Sequence, residues 1–474
     1  MKKIILASLL SLSAFGYADD AVNLDSLDQR LKIAERKLEL AAEATTASKS
    51  GDATVSAGPG GFIINSADKT WNLKLGGLIQ TDARAYFEEV QRGPYVPTQN
   101  LNNVILPRRV RLQLDANLGP NAKLRIQNDF VGGLVDAYGE LKLLPWATVR
   151  TGLFKTPLSL ERWRSDPARD FVELGYTAAL VTDRDTGAWL ELADADQIVS
   201  LGAGVFNGSV DSGSVVTTDA DDEKEAVAKF FTHPFRFFDI VPLRDLGIGI
   251  AASSGDRNTS VAAPGYKTLG LAPVNAFSYK AGVIANGPSQ RIVPQGYWFW
   301  ENFSLLGEYV RSSQSYQNPT NNPATEDVRE ASLGNEAYQV QAAWNITGED
   351  TAFSGFKLNK DSSSAWGALQ VAGRYQGVKF DEESFDRIAE NSTVVVPGKG
   401  RRFADRRSSV SAIQSWGVAL SYLPVNNVKL LLDWEESAFT DGSWSGATAS
   451  SSPNAQTANR ETEKVLFARA QFTY

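Results

Sequence analysis

The chain has 474 residues, with 47 Lys and Arg against 55 Asp and Glu for a formal charge of −8, and it contains no cysteine, one histidine and one methionine. Without cysteine there is no disulfide scaffold, thiolate metal site or thiol nucleophile, and the acidic balance argues against nucleic-acid partners. Eleven Trp, 14 Tyr and 23 Phe make the chain rich in aromatics, and its length admits either two or three ordinary domains or one large all-β barrel.

Residues 1–18 carry Lys2 and Lys3, an apolar run from Ile4 to Phe15, and small residues at Gly16 and Ala18. That pattern predicts a cleaved signal peptide and a mature chain starting at Asp19. Removing Lys2 and Lys3 leaves 45 basic residues against 55 acidic ones. Next, Leu24, Leu27, Leu31, Ala34, Leu38 and Ala41 recur at alternating steps of three and four, which predicts a short coiled-coil helix over 19–48. Residues 49–61, small and polar with Gly and Pro, read as a linker to a domain spanning 62–474.

From Trp71 the period changes to two. In "WNLKLGGLIQTDARAYF" Trp71, Leu73, Leu75, Ile79, Ala83 and Phe87 share one face, and Asn72, Lys74, Gln80, Asp82 and Arg84 the other. The alternation returns in about sixteen segments, including "RVRLQLDANL", "AKLRIQNDF", "ATVRTGLF", "IVSLGAGVFNG", "YWFW", "VKLLLDW" and the terminal "VLFARAQFTY". Many reach nine residues, enough to cross a bilayer when tilted, whereas sandwich strands are usually shorter. A seventeenth candidate, "VNAFSYKAGV", would make the number odd, and we assign it to a loop. The expected fold is all-β: a 16-stranded antiparallel transmembrane β-barrel preceded by the short N-terminal coiled coil.

The connections alternate in length. Short turns are expected at 119–121, 145–146, 193–196, 301–302 and 424–427, and long ones at 88–107, 155–184, 208–224, 254–296, 312–334, 381–409 and 440–462. Two depart from the rule: 132–133 is short on the long side, and 348–364 is long on the short side. Trp71 with Phe87, and Trp434 with Phe439, suit interfacial girdles. The last segment puts Leu466, Ala468, Ala470, Phe472 and Tyr474 on one face, as expected of a strand that pairs with the first and removes both edges.

The stretches "WNLKLGGLIQTD", "PRRVRLQLD", "VDAYGELKLL", "TGLFKTPLSLE", "GVFNG", "AAWNITGED", "AWGALQVAGRYQ" and "FARAQFTY" resemble, in order and spacing, the phosphate- and polyphosphate-selective porins O and P. The resemblance covers most of 62–474. It implies a Gram-negative outer-membrane barrel, a homotrimer, a constriction built partly by the long third loop, and a periplasmic N-terminal coiled coil. It further implies that Tyr474 ends a signal read by the barrel-assembly machinery, and that lipid and lipopolysaccharide surround the barrel. Arg108 and Arg109 match the family's paired constriction arginines, Asp136 matches an acidic residue of that site, and Arg162 stands where the family has a lysine. The chain departs from the pattern at Leu78 and Leu174, where the phosphate-selective members carry arginine.

Beside the resemblance, Arg111, Arg125 and Arg150 fall on the polar phase of their strands and should face the lumen, and Arg164, Arg169 and Arg184 add positive charge to the third loop. Asp82, Asp115, Asp129, Glu140, Glu191, Glu308 and Asp433 oppose them. The expected function is passive diffusion of small hydrophilic solutes with preference for anions. Its rivals are a general or weakly cation-preferring pore, and a structural anchor tethered through the coiled coil. No enzymatic activity, metal or cofactor is expected: the one histidine, His233 beside Pro234, suits a surface role at a strand end, and no serine has a nucleophile's setting.

Overall fold

A computed structural model describes residues 24–47, 53–58, 61–87, 102–214, 219, 221–238, 240–271, 275–321, 328–358, 366–385, 402–445 and 456–474. The proposed signal peptide and mature start lie outside the described residues. Leu24–Ala47 forms a 24-residue α-helix that belongs to a separate compact unit from the barrel. Its Leu31 and Leu38 are exposed, and Lys32 and Arg36 pair along it with Asp28 at 2.8 Å and Glu39 at 3.0 Å.

The second unit is a closed antiparallel barrel of sixteen strands. In chain order these are β1 Trp71–Tyr86, β2 Val104–Leu118, β3 Ala122–Asp129, β4 Gly133–Leu144, β5 Ala147–Lys155, β6 Arg184–Ala193, β7 Val199–Phe206 and β8 Glu225–Thr232. There follow β9 Leu246–Ala262, β10 Ile284–Trp300, β11 Phe303–Gln317, β12 Glu330–Asn345, β13 Ala368–Lys379, β14 Val410–Val425, β15 Val428–Ser445 and β16 Glu463–Thr473. Each pairs with its neighbours in sequence, and β16 closes on β1 from Val465↔Tyr86 to Thr473↔Leu78. Beyond the ladder the Gly77 amide donates to the Tyr474 carbonyl at 3.0 Å. A Cβ at Gly77 would overlap the Tyr474 ring, so the glycine lets the terminal aromatic lie across the seam. Short strands at Gly61–Asn65 and Gln456–Asn459 extend β1 and β15 at their ends.

The burial is inverted relative to a water-soluble protein. Ile79, Leu112, Ile126, Leu190, Val205, Ile250, Val340, Val418 and Leu432 are exposed on the outside, while Gln80, Asp82, Gln376, Asp433, Glu435 and Arg469 are buried inside. A strand presenting apolar side chains outward and charged ones inward is stable where the surroundings are lipid and the interior is wet. Trp71, Trp146, Trp300, Trp344, Trp366 and Tyr474 stand exposed toward the rim of short turns, the position of an interfacial belt. Phe439 does not join a girdle. It shares the inward phase of Asp433 and Glu435, is 5% exposed, and lies under Arg460 at 5.0 Å, whereas Trp434, five residues earlier and so on the opposite face, packs on Phe87 at 5.1 Å.

The long and short connections alternate as expected, several of them narrower than read from the sequence: 312–334 becomes 318–329, and 440–462 becomes 446–462. The connection placed at 254–296 shrinks to 263–283, because β9 runs to Ala262 and β10 starts at Ile284. The hidden part of β10 contains Pro288 and Pro294, which cannot donate to a ladder, and its register shifts between Ala285 and Ser289. The "VNAFSYKAGV" segment is a loop: Phe277 and Tyr279 make single bridges to Tyr266 and Ala404, and the Phe277 ring stacks on Phe380 at 4.1 Å. In the long connection on the short-turn side, 346–367, the described residues 346–358 turn back toward the barrel mouth, where Phe353 packs on Tyr297 at 5.4 Å.

Candidate functional site: a charged lumen narrowed by an inward loop

Residues 156–183, between β5 and β6, fold into the barrel and are almost all buried. A loop inside a lumen must satisfy its own backbone, and the wall does this with side chains. Glu308 of β11 accepts hydrogen bonds from the Leu160 amide, from Ser159 Oγ at 3.1 Å, from Thr177 Oγ1 at 3.3 Å and from Gln339 Nε2 at 3.2 Å. Asp433 of β15 accepts from the Val172 amide at 2.9 Å, and Gln376 of β13 from the Tyr176 amide at 3.0 Å. Arg374 donates to the Glu173 carbonyl at 3.0 Å, Arg469 to that of Val172 at 2.8 Å, and Lys429 to that of Arg169 at 2.6 Å. The loop is therefore fastened mainly to β11–β16, and the space that remains beside it lies along the wall of β2–β5.

That open wall carries the paired arginines. In a regular strand Arg108 and Arg109 would point to opposite faces. Here Gln80 pairs with Arg109 and Thr81 with Pro107, so Arg108 is the extra residue of a β-bulge, and both side chains serve the lumen. Arg109 donates to Gln80 Oε1 at 2.8 Å, and Arg108 donates to Glu173 from Nε at 2.9 Å and Nη2 at 3.1 Å. Asp136 lies beside a second bulge, where Val135 has no partner on β3, and accepts from Arg184 Nε at 3.0 Å.

Two cavities meet behind this wall. The one toward the short turns has a volume of about 400 Å³, and the one toward the long loops about 870 Å³. Both are lined by Arg111, Asp166 and Arg184, which mark the pinch point between them. Arg111 donates to Asp129 Oδ2 at 2.9 Å and also pairs with Asp166. Asp166 pairs in addition with Arg169, and with Arg109 at 3.6 Å. Burial alone would push the Asp166 carboxyl up, but Arg109, Arg169, Arg111 and Lys155 outweigh it and hold the group well below the usual carboxylate range. Glu173 behaves likewise: burial raises it, while Arg108, Arg469 and Arg109 bring it down to about 2. Both carboxylates are thus charged at neutral pH.

The side chains that face the short-turn cavity are mostly basic, with Asp115 paired to Arg125 at 2.6 Å. The short-turn cavity is lined by five basic side chains, Arg111, Arg125, Arg150, Lys155 and Arg184, against Asp136 and Asp166. Arg150 is steadied by Tyr138, Phe154 and Trp163, whose ring centres lie 4.7, 5.4 and 5.6 Å away, and by Glu140 at 2.8 Å. Leu78 lines this cavity and Leu174 the other.

Of the residues singled out from the sequence, Arg108, Arg109, Arg111 and Arg162 all line the long-loop cavity, and Asp136 the short-turn one. Arg162 is 5% exposed and braces the loop, donating to the Ala178 carbonyl at 2.8 Å and pairing with Asp183 at 2.9 Å. Arg164 lines neither cavity. It pairs with Asp170 at 2.8 Å and donates to the Phe353 carbonyl at 3.2 Å, inside the packing beneath the loop. His233 is buried rather than on the surface: Nδ1 bonds the Gln197 carbonyl at 2.7 Å and Nε2 the Tyr297 hydroxyl at 2.9 Å. Asp166, Glu173 and Lys155 were not among the sequence candidates. The only signal at Asp166 is "SDPARD", an acid among loop arginines.

A family model described as phosphate-selective porin O and P matches residues 103–472. Porin O of Pseudomonas aeruginosa is 23% identical over 365 residues, covering 70% of this chain and 78% of that protein. Among solved structures, in-vitro folded OmpT, an outer membrane protein of Vibrio cholerae, is 10% identical with a TM-score of 0.49, covering 85% of this chain and 98% of its own. An anion-selective porin from Comamonas acidovorans is 11% identical with a TM-score of 0.48, covering 85% and 100%. The inverted barrel, the inward third loop and a family match over most of the chain agree, and the chain belongs to the phosphate-selective porin O and P family of outer-membrane porins.

Proposed function

We propose that this porin conducts small hydrophilic solutes by diffusion with a preference for phosphate-like anions, selected at the pinch between the two cavities. The observation that carries the reading is that more guanidinium and ammonium groups than carboxylates face the short-turn cavity beside it, in a chain whose formal charge is −8. Guanidinium donors replace part of an anion's hydration shell. Arg108, Arg109 and Arg111 supply them from the wall and Arg162 from the loop, while Asp136 and Asp166 neutralise part of the charge, so that a bound anion can leave. No bond is made or broken.

The same reading includes a homotrimer, with the exposed Leu31 and Leu38 stripe of the helix as a coiled-coil seam on the periplasmic side. Tyr474 completes the signal for barrel assembly. The long loops face outward and the short turns the periplasm, with lipid and lipopolysaccharide around the apolar band.

The test is the reversal potential of the protein in a planar bilayer under a potassium chloride gradient. A potential set by chloride supports the reading. One set by potassium replaces it with the general or cation-preferring pore, and an absence of conductance leaves the anchor.

A further inference from the structure

A third cavity, of about 170 Å³, lies inside the barrel and shares Trp163 with the short-turn cavity of the anion path. Its lining is different in kind. Rings from Trp163, Trp189, Phe231, Tyr297 and Phe353 form the walls, and Lys229 reaches among them.

Two of these rings are laid flat by the sequence of the neighbouring strand. A Cβ at Gly202 would overlap the Trp189 indole, and one at Gly204 would come within 2.9 Å of it. In the same way a Cβ at Gly247 would lie 2.6 Å from the Phe231 ring, and one at Gly249 would overlap it. Gly202 and Gly204 stand on β7, beside the β6 strand of Trp189, and Gly247 and Gly249 on β9, beside the β8 strand of Phe231. A missing side chain at each lumen-facing position is what allows a ring to lie against the wall instead of standing off it. The device appears twice around one cavity.

Lys229 supplies the polar half. Its ammonium lies 5.5 Å from the Trp163 ring centre and 5.7 Å from that of Phe231, and it makes no hydrogen bond or ion pair with any described residue. Of the other polar groups, His233 bonds the Gln197 carbonyl and the Tyr297 hydroxyl, and Glu191, the one carboxylate of the lining, accepts from Ser200 at 3.3 Å and makes no hydrogen bond or ion pair with Lys229. An ammonium with three donors among flat rings is left to meet a carboxylate whose remainder stacks. A cavity of about 150 Å³ accommodates benzene, so the space suits one substituted ring.

We propose that this cavity is a binding site for aromatic carboxylates of benzoate size, with the ring against the faces of Trp189 and Phe231 and the carboxylate on Lys229. The site selects shape as well as charge, and so goes beyond the anion preference proposed above, which a chloride reversal potential tests separately.

The experiment compares the block of single-channel potassium chloride currents by benzoate and by cyclohexanecarboxylate, an acid of the same charge with a puckered ring. Stacking on two rings should let benzoate block at a concentration about tenfold lower. Lys229→Gln should raise the benzoate concentration needed by about tenfold, and Lys229→Arg should restore it. Equal block by the two acids, or undiminished benzoate block in Lys229→Gln, overturns the proposal. If Lys229→Gln does not insert, the comparison of the two acids on the unaltered protein decides.

Discussion

Arg111→Gln removes one positive charge from the point shared by both cavities while leaving its neighbours ligated. Asp129 keeps the Val110 and Val131 amides, each at 3.1 Å, and Asp166 keeps Arg109 and Arg169, so neither carboxylate is stranded and the backbone ladder is untouched. An ion passing at about 7 Å, with water between, feels one unit charge as about 0.6 kcal/mol, close to RT. Losing that charge lowers the occupancy of an anion about 2.7-fold and raises that of a cation as much, so the chloride-to-potassium permeability ratio falls roughly sevenfold. Screening makes the effect depend on salt. With a Debye length of about 30 Å at 0.01 M nearly all of it survives, at 0.1 M roughly half of the energy remains, and at 1 M little does. Reversal potentials under a fixed activity ratio at those three salt levels measure it. A ratio unchanged at 0.01 M in a channel of ordinary conductance, or a change that ignores ionic strength, would refute the assignment of selectivity to this pinch.

Three other outcomes follow from the way the loop is held. Glu308→Ala strips the acceptor from the Leu160 amide, Ser159 and Thr177, at a cost of about 1–3 kcal/mol per stranded group, so the loop should undock and single-channel conductance should rise. Gly77→Val drives a side chain into the Tyr474 ring at the seam; overpacking of about 1–3 kcal/mol should lower the temperature at which the folded barrel band is lost on a detergent gel, and Tyr474→Ala in the same chain should restore part of it. Glu173 titrates near 2 when docked against an ordinary 4.5, so its contribution, on the order of 3 kcal/mol, is complete above pH 4.5 and lost as pH falls toward 2. Conductance should therefore be steady from pH 8 to 5 and loosen only below about 4.5.

The barrel was legible because one physical requirement, lipid outside and water inside, imposes a period of two on each membrane-crossing stretch. It put Gln80, Asp82 and Arg469 on the lumen side and Ile79 and Phe472 on the lipid side, where the structure has them. The signal fades where a strand leaves the bilayer. The first half of β10, polar and broken by Pro288 and Pro294, reads as loop although it pairs with β9. It also fails at single-residue irregularities: nothing in the alternation announces the bulge that turns Arg108 toward Glu173. Within the inward loop no period exists at all, so Arg162 and Arg164, two residues apart and chemically alike, cannot be told apart from sequence, yet the first borders a cavity and the second lies beneath the loop. Asp166 was missed for the same reason, since its importance comes from Arg109, Arg111 and Arg169 converging on it from β2 and from its own loop.

The acidic balance of the chain and the basic balance of its path are compatible because the carboxylates and guanidiniums inside the barrel divide their work by position. On the far wall, Glu308, Asp433 and Glu435 are committed to the loop or to the arginines that hold it, and Arg374 and Arg469 face Glu161 and Asp82 there. Turned toward the loop or toward one another, these groups contribute little to a passing ion. On the near wall the bulge places Arg108 beside Arg109, and Glu173 answers Arg108 from the loop while also binding Arg84 of β1 at 2.8 Å. One carboxylate thus links the fastening of the loop to the charge of the wall. Neutralising Glu173 should accordingly change pore width and selectivity together, whereas neutralising Glu308, which touches no wall arginine of the path, should change width first.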